Sequence, residues 1–425
     1  MTTWLVLVFA LTYGAIVIEH TLKVNQSASA MVGAGLLWTI YALCLDNPPL
    51  VGAQLAQTVA GTAQIVLFLM CAMTLVEVIA AHDGFALITA RIQTTRLSIL
   101  MWQVGMVTFV LSALLDNLTT AIVMVTLVQK LLAQRSHRLL MAAIIVIAAN
   151  AGGAWSPLGD VTTTLLWIGG QITAMRTIQG LFLPALVNLL IPLSILSWQS
   201  RHTTITAQTT PILDDGRVTS SYVTQHLVLW TGLGVLVAVP AFAYVTGLPP
   251  FMGMLLGLGL LSLAADLSHQ HQPEVHQTRF ALKTILTQID MSCLLFFTGL
   301  LLSVAVLEHS HILASLAHGL DQTVGRMDVI VTLMGLLSAL VDNVPLVAAI
   351  MAMYSLTNYP TDSFLWTFTA YCAGTGGSIL IIGSAAGVAA MGLEKISFGW
   401  YFKNISALAL AGYLTGAFVF VVQHA

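Results

Sequence analysis

Between residues 4 and 423 the chain is an almost unbroken succession of apolar stretches, each close to the roughly 20 residues that carry a helix across the hydrocarbon core of a bilayer. In lipid every backbone N–H and C=O must find its partner within the protein, so such stretches become helices. A chain made of little else is an all-α polytopic membrane protein. Charged residues make up 7% of the 425, far below the roughly 25% of ordinary globular chains, which excludes a water-soluble fold. The net charge of -3 gives no reason to expect a nucleic-acid partner, and the lipid bilayer is the partner expected instead. Cys44, Cys71, Cys293 and Cys372 lie in apolar segments without ligand spacing, which indicates inert packing. No HExxH or repeated acidic signature falls in a span, so neither an enzyme nor a cofactor is expected. The run 4–18 lacks a basic leader and reads as a span rather than a cleavable signal.

Polar breaks divide the chain into about ten spans, at 4–18, 28–45, 62–80, 139–170, 180–198, 226–246, 252–267, 290–307, 364–392 and 404–423. Two further apolar segments, about 98–129 and 328–354, are too long for one span and too short for two plus a turn, and read as re-entrant hairpins. With that assignment 12 of the 14 basic residues fall on one side, leaving only Arg176 and Arg326 opposite, as the enrichment of Lys and Arg in cytoplasmic loops requires. The first hairpin then opens to the cytoplasm and the second outward.

The sequence also repeats. Leu111-Ser-Ala-Leu-Leu-Asp-Asn117 recurs as Leu337-Ser-Ala-Leu-Val-Asp-Asn343, an offset of 226, and Gly152-Gly153 with Gly159 recurs as Gly376-Gly377 with Gly383, an offset of 224. Matching offsets imply two repeats, and in the topology above their corresponding spans run in opposite directions, so these are inverted-topology repeats. The first occupies 1–200 with its hairpin and a broken helix at about 139–170. A cytoplasmic linker fills 201–225, and the second repeat occupies 226–425 with its hairpin and a broken helix at about 364–392. That is the plan of secondary transporters, whose sites lie near the midplane where discontinuous helices meet.

The first break, 150–160, carries three glycines, Pro157 and Asp160, followed by Thr162 and Thr163. Its counterpart, 374–384, keeps the glycines, adds Thr375 and Ser378, and has Ile381 for the proline and Ser384 for the acid. Unwound backbone at this depth survives only buried in protein or lining a wet cavity, and its carbonyls and hydroxyls suit a hard cation. Ionisable groups inside a span are expensive and mark function. Asp116, Asp160 and Asp342 are the clearest, with Glu77 nearer a cytoplasmic end. Asp116 and Asp342 also suit the N-caps of the hairpins' second helices, and Asp160 that of the half-helix from Val161. Sodium favours the ionised carboxylate while burial favours the protonated one, so the two cations compete for one group and antiport follows. Asn117, Asn150, Asn343, Ser112 and Ser338 would add neutral oxygens or orient the carboxylates, with helix packing an equal possibility for the two serines. The exchange of Asp160 for Ser384 places more of the ion chemistry in the first half, with sodium expected at Asp116, Asn117 and Asp160. His82, beside Asp83, and Glu77 are candidates for pH sensing.

These stretches resemble the NhaD family of bacterial sodium/proton antiporters, of the ion transporter superfamily, over nearly the whole chain. The resemblance implies hairpins and broken helices, and exchange of cytoplasmic sodium, often lithium too, for external protons under alkaline or saline conditions, hence pH homeostasis and salt tolerance. It implies a bacterial inner membrane, a homodimer, and importance at Asp116, Asn117, Asn150, Asp160, Thr162, Thr163, Ser338, Asp342 and Asn343. Superfamily relatives carry dicarboxylates or arsenite, so a sodium-coupled anion transporter is the alternative.

Overall fold

The computed structural model describes residues 1–17, 24–45, 47–85, 94, 96–205, 222–270, 280–340 and 343–424. Among these the chain is helical throughout, and eight helices are long and apolar enough to cross a membrane. The first half contains α1 (Thr2–Val17), α2 (Gln26–Cys44), α3 (Pro48–Ala81), α4 (Leu97–Ser112), α5 (Asn117–Leu131), α6 (Arg135–Ala154), α7 (Val161–Ile168) and α8 (Ala174–Gln199). The second contains α9 (Tyr222–Thr246), α10 (Pro250–His269), α11 (Leu282–Leu286), α12 (Met291–His309), α13 (Ile312–Thr323), α14 (Met327–Leu337), α15 (Asn343–Met353), α16 (Phe364–Gly376), α17 (Ala385–Glu394), α18 (Phe398–Asn404) and α19 (Ser406–Gln423).

The hairpin arms are too short to cross a bilayer one by one. The arms α4 and α5 have 16 and 15 residues, about 24 and 22 Å at 1.5 Å per residue, short of the roughly 30 Å core. Those of the second hairpin, α14 and α15, have 11 each, about 16 Å. The first pair is joined by the short turn 113–116, and both pairs are too short to cross, as the expected hairpins are. The spans 139–170 and 364–392 are likewise broken, into α6 with α7 and α16 with α17. The third span is longer than its apolar window: α3 has 34 residues, because Asn47 caps a helix that opens on Pro48-Pro49 and continues through the polar Gln54, Gln57 and Thr58. Short α11, α13 and α18 fall outside the apolar runs.

Contacts at the ends of the broken helices fix their relative direction. At the start of α6, Arg138 Nε lies 3.2 Å from Glu394 Oε1 at the end of α17, and Arg135 donates to the Lys395 carbonyl at 3.3 Å. Past the end of α7, the Thr173 N–H and hydroxyl donate to the two Asp362 carboxylate oxygens at 2.6 and 2.7 Å, just before α16. The start of each broken helix therefore meets the end of the other, so the two halves run in opposite directions. Packing follows the same pseudo-two-fold: α2 lies on α12 as α10 lies on α3, and α8 lies against α19.

Candidate functional site

Each broken helix is locked to its hairpin by equivalent bonds. Ser112 donates to the Ala149 carbonyl at 2.6 Å, and Ser338 to the Ala373 carbonyl at 3.0 Å. A Cβ at Gly159 would run into the Ser112 carbonyl, and one at Gly383 would stand 2.7 Å from that of Ala339, so both breaks need glycine for close backbone approach. These serines therefore bind helix to helix, and they hold the two breaks against the two hairpin tips.

Asp160 sits at the first break, 1% exposed, as the N-cap of α7. Its Oδ1 accepts from the Thr162 N–H at 2.8 Å and hydroxyl at 2.7 Å, satisfying one of the helix's free amides. Asn117, from the tip of the first hairpin, donates to Oδ2 at 2.6 Å. Asn343, its repeat equivalent on the second hairpin, approaches the same carboxylate at 3.3 and 3.5 Å. The Asn117 amide also donates to Asn150 Oδ1 at 3.1 Å, and Asn150 donates in turn to Ser384 Oγ at 2.9 Å. Ser384 caps α17 through the Gly387 N–H, at 3.2 Å. One buried chain thus runs from Ser384 through Asn150 and Asn117 to Asp160 and Asn343, and crosses between the halves twice.

Asp116 takes the N-cap position that its place in the hairpin suggests. It caps α5, with Oδ1 accepting from the Thr119 N–H and Oδ2 from the Thr119 hydroxyl, each at 2.7 Å. It shares with Asp160 the wall of a cavity of about 80 Å³, which α3 and α12 close with Phe68, Met73 and Phe297. Asp342 lies outside the described residues. Thr163 is fully buried and its hydroxyl has no hydrogen-bond partner among the described residues, nor has that of Thr120 one turn past Asn117.

Other expected residues stand apart. The Thr375 hydroxyl donates to the Tyr371 carbonyl at 2.6 Å and Ser378 to the Thr375 carbonyl at 2.7 Å, so both satisfy the backbone of the second break. Glu77 is half-buried on α3, away from the cavity wall. His82 is buried at the end of α3, with Nδ1 2.7 Å from the Val78 carbonyl and its ring stacked 4.6 Å from Phe280. The motif reading did not single out Thr119 or Thr120; a hydroxyl three residues past an N-cap acid is the signal that could have found the first.

A family model described as CitMHS, citrate transporter, matches residues 13–374. Sodium/proton antiporter 1 of Arabidopsis thaliana is 44% identical over 98% of this chain and 72% of its own length. The Na(+)/H(+) antiporter NhaD of Vibrio cholerae serotype O1 is 32% identical over 91% of this chain and 84% of its own. In fold, the solved Alcanivorax borkumensis YdaH transporter matches with a TM-score of 0.61 at 14% identity, covering 94% of this chain and 98% of that one. These matches are to transporters, not enzymes, and the chain belongs to the CitMHS family and, within it, to the NhaD-type sodium/proton antiporters.

Proposed function

We propose that the protein exchanges cytoplasmic sodium, and lithium, for external protons at a site centred on Asp160. The carrying observation is a carboxylate 1% exposed, set between two hairpin tips and held by neutral amides and hydroxyls. Burial raises the cost of its charge, and a bound sodium ion repays it; protonation repays it equally. Occupancy by one cation therefore expels the other, and alternation of access converts this competition into exchange. Asn117 and Thr162 supply neutral oxygens, while Asp116 places a second carboxylate on the cavity wall and Asp342 completes or supports the set. Among the described residues no basic side chain lines that cavity, so a dicarboxylate, an anion the alternative reading would carry, would meet repulsion there.

The reading includes the topology: repeats at 1–200 and 226–425 about a cytoplasmic linker, with the Arg138–Glu394 end inside and the Thr173–Asp362 end outside. The protein would act as a homodimer in an energised inner membrane, as expected for a bacterial cell. Everted vesicles from cells lacking their own antiporters provide the test. Sodium and lithium should each dissipate an imposed pH gradient, and Asp160→Asn should abolish that response; exchange retained in Asp160→Asn would remove the site from the mechanism.

A further inference from the structure

Beyond the central cavity, two more cavities open toward the Thr173–Asp362 end of the molecule. The outer one, about 820 Å³, lies between α12, α13 and the segment after α15, and is lined by Glu308, His309, His311, His318, Asp321 and Tyr354 among others. The second, about 310 Å³, shares Glu308, His309, Met351 and Ala352 with it and descends past Thr58 and Thr62 to Leu165 and Ala348. Four helices then pass from this shaft to the central cavity within a turn: Ile65 to Phe68 on α3, Leu165 to Thr164 on α7, Leu301 to Phe297 on α12, and Ala348 to Val344 on α15. The junction is apolar and closed, with Phe68 1%, Leu165 2% and Phe297 6% exposed, and Phe68 edge-on to Trp167 at 6.1 Å.

We propose that Glu308 is the collecting carboxylate of the outer access route, drawing protons into the shaft and leading sodium out, with Phe68, Leu165 and Phe297 as the plug that separates it from Asp160. This rests on the function and orientation proposed above. Glu308 is exposed where the two cavities join, on the last turn of α12. His309 beside it is fixed, its Nε2 3.3 Å from the Thr58 hydroxyl and its ring 6.1 Å from Trp38. The other titratable groups facing this space are His311, His318 and Asp321 from the α13 side and Tyr354 and Tyr359 from the segment after α15; α3 contributes the neutral Gln54, Gln57 and Thr58. Burial, and for Tyr354 the hydrogen bond it donates to Asp321 at 3.0 Å, pushes both phenols above their ordinary range, so they stay neutral. Among the described residues no lysine or arginine lines either cavity, and Glu308 and Asp321 are the two carboxylates there. A cleft of one sign concentrates the opposite ion, and this matters most when protons are scarce.

The test uses proteoliposomes in which the pH at the outer mouth is varied and sodium exchange is measured. Glu308→Gln should lose about tenfold in rate at alkaline outer pH, the lower end of what a charged cleft contributes to ion capture, and the loss should shrink as the outer solution is acidified. Half-saturating sodium at the cytoplasmic face should not move, and Glu308→Asp should recover most of the rate. A Glu308→Gln protein with wild-type dependence on outer pH, or with an equal loss at every pH, overturns the proposal. Asp160→Asn in the same liposomes separates the two readings: if it is inactive while Glu308→Gln behaves as wild type, the access route fails and the central site stands.

Discussion

The two breaks have nearly the same backbone and different chemistry. Gly153 with Gly159 and Gly377 with Gly383 make the same close approaches, and Asp160 and Ser384 occupy the same N-cap, accepting from the first-turn amides of α7 and α17. A duplicated scaffold thus needs a capping acceptor at both positions, and either side chain serves. Only one of them carries charge. The second half lends its amide Asn343 to the first half's carboxylate and its hydroxyl Ser384 to Asn150. The symmetry is spent on holding one carboxylate from two sides.

That asymmetry predicts graded losses. Asp160→Asn removes the only one of the two caps with a charge and should bring sodium-dependent dissipation of a pH gradient to background. Asn117→Ala comes next, because it deletes a 2.6 Å bond to a buried carboxylate and the link to Asn150. Hydrogen bonds to charged groups contribute about 1.5–3 kcal/mol, so half-saturating sodium should rise roughly ten- to a hundredfold. The repeat-equivalent Asn343→Ala breaks contacts of 3.3 and 3.5 Å, nearer the weak limit, and about two- to tenfold is expected from the same assay. Equal effects from the two asparagines would break the comparison, since they would mean that the hairpins share the carboxylate evenly.

Much of this was legible before any coordinates. The apolar runs, the two Asp-Asn repeats and the glycine-rich breaks are local patterns, and local patterns determine where a membrane helix starts, stops and unwinds. The excess of α3 was hidden because Gln54, Gln57 and Thr58 ended the apolar window while Asn47 and Pro48 continued to favour helix. Site composition was legible at Asp160 and Asn117 but not in its pairing. Capping chemistry made Asp116 and Asp160 look alike; in the structure Asp116 gives both oxygens to Thr119, whereas Asp160 keeps Oδ2 for the amides across the break. Asn343 meeting Asp160 spans 183 residues, a contact that only the packing of the two halves creates. The outer shaft was invisible for the same reason, being assembled from α3, α7, α12 and α15.

The smallest effect is expected at Ser384→Ala, and it decides what the second break is for. If Ser384 only caps α17 and accepts from Asn150, its loss costs about 1 kcal/mol of stability, the usual value of an N-cap. The melting temperature of the detergent-solubilised protein should then fall, while half-saturating sodium changes less than about threefold, because Asn150 reaches Asp160 only through Asn117. Ser384→Asp sharpens the point. It restores an acid to the second cap and places a new carboxylate against Asn150, which accepts a hydrogen bond from Asn117. Competition for Asn150 should then pull its amide from its present geometry and weaken sodium exchange. A Ser384→Asp protein that exchanged sodium with Asp160 replaced by Asn would instead show that the two breaks remain interchangeable, with the halves differing in sequence and not in capacity.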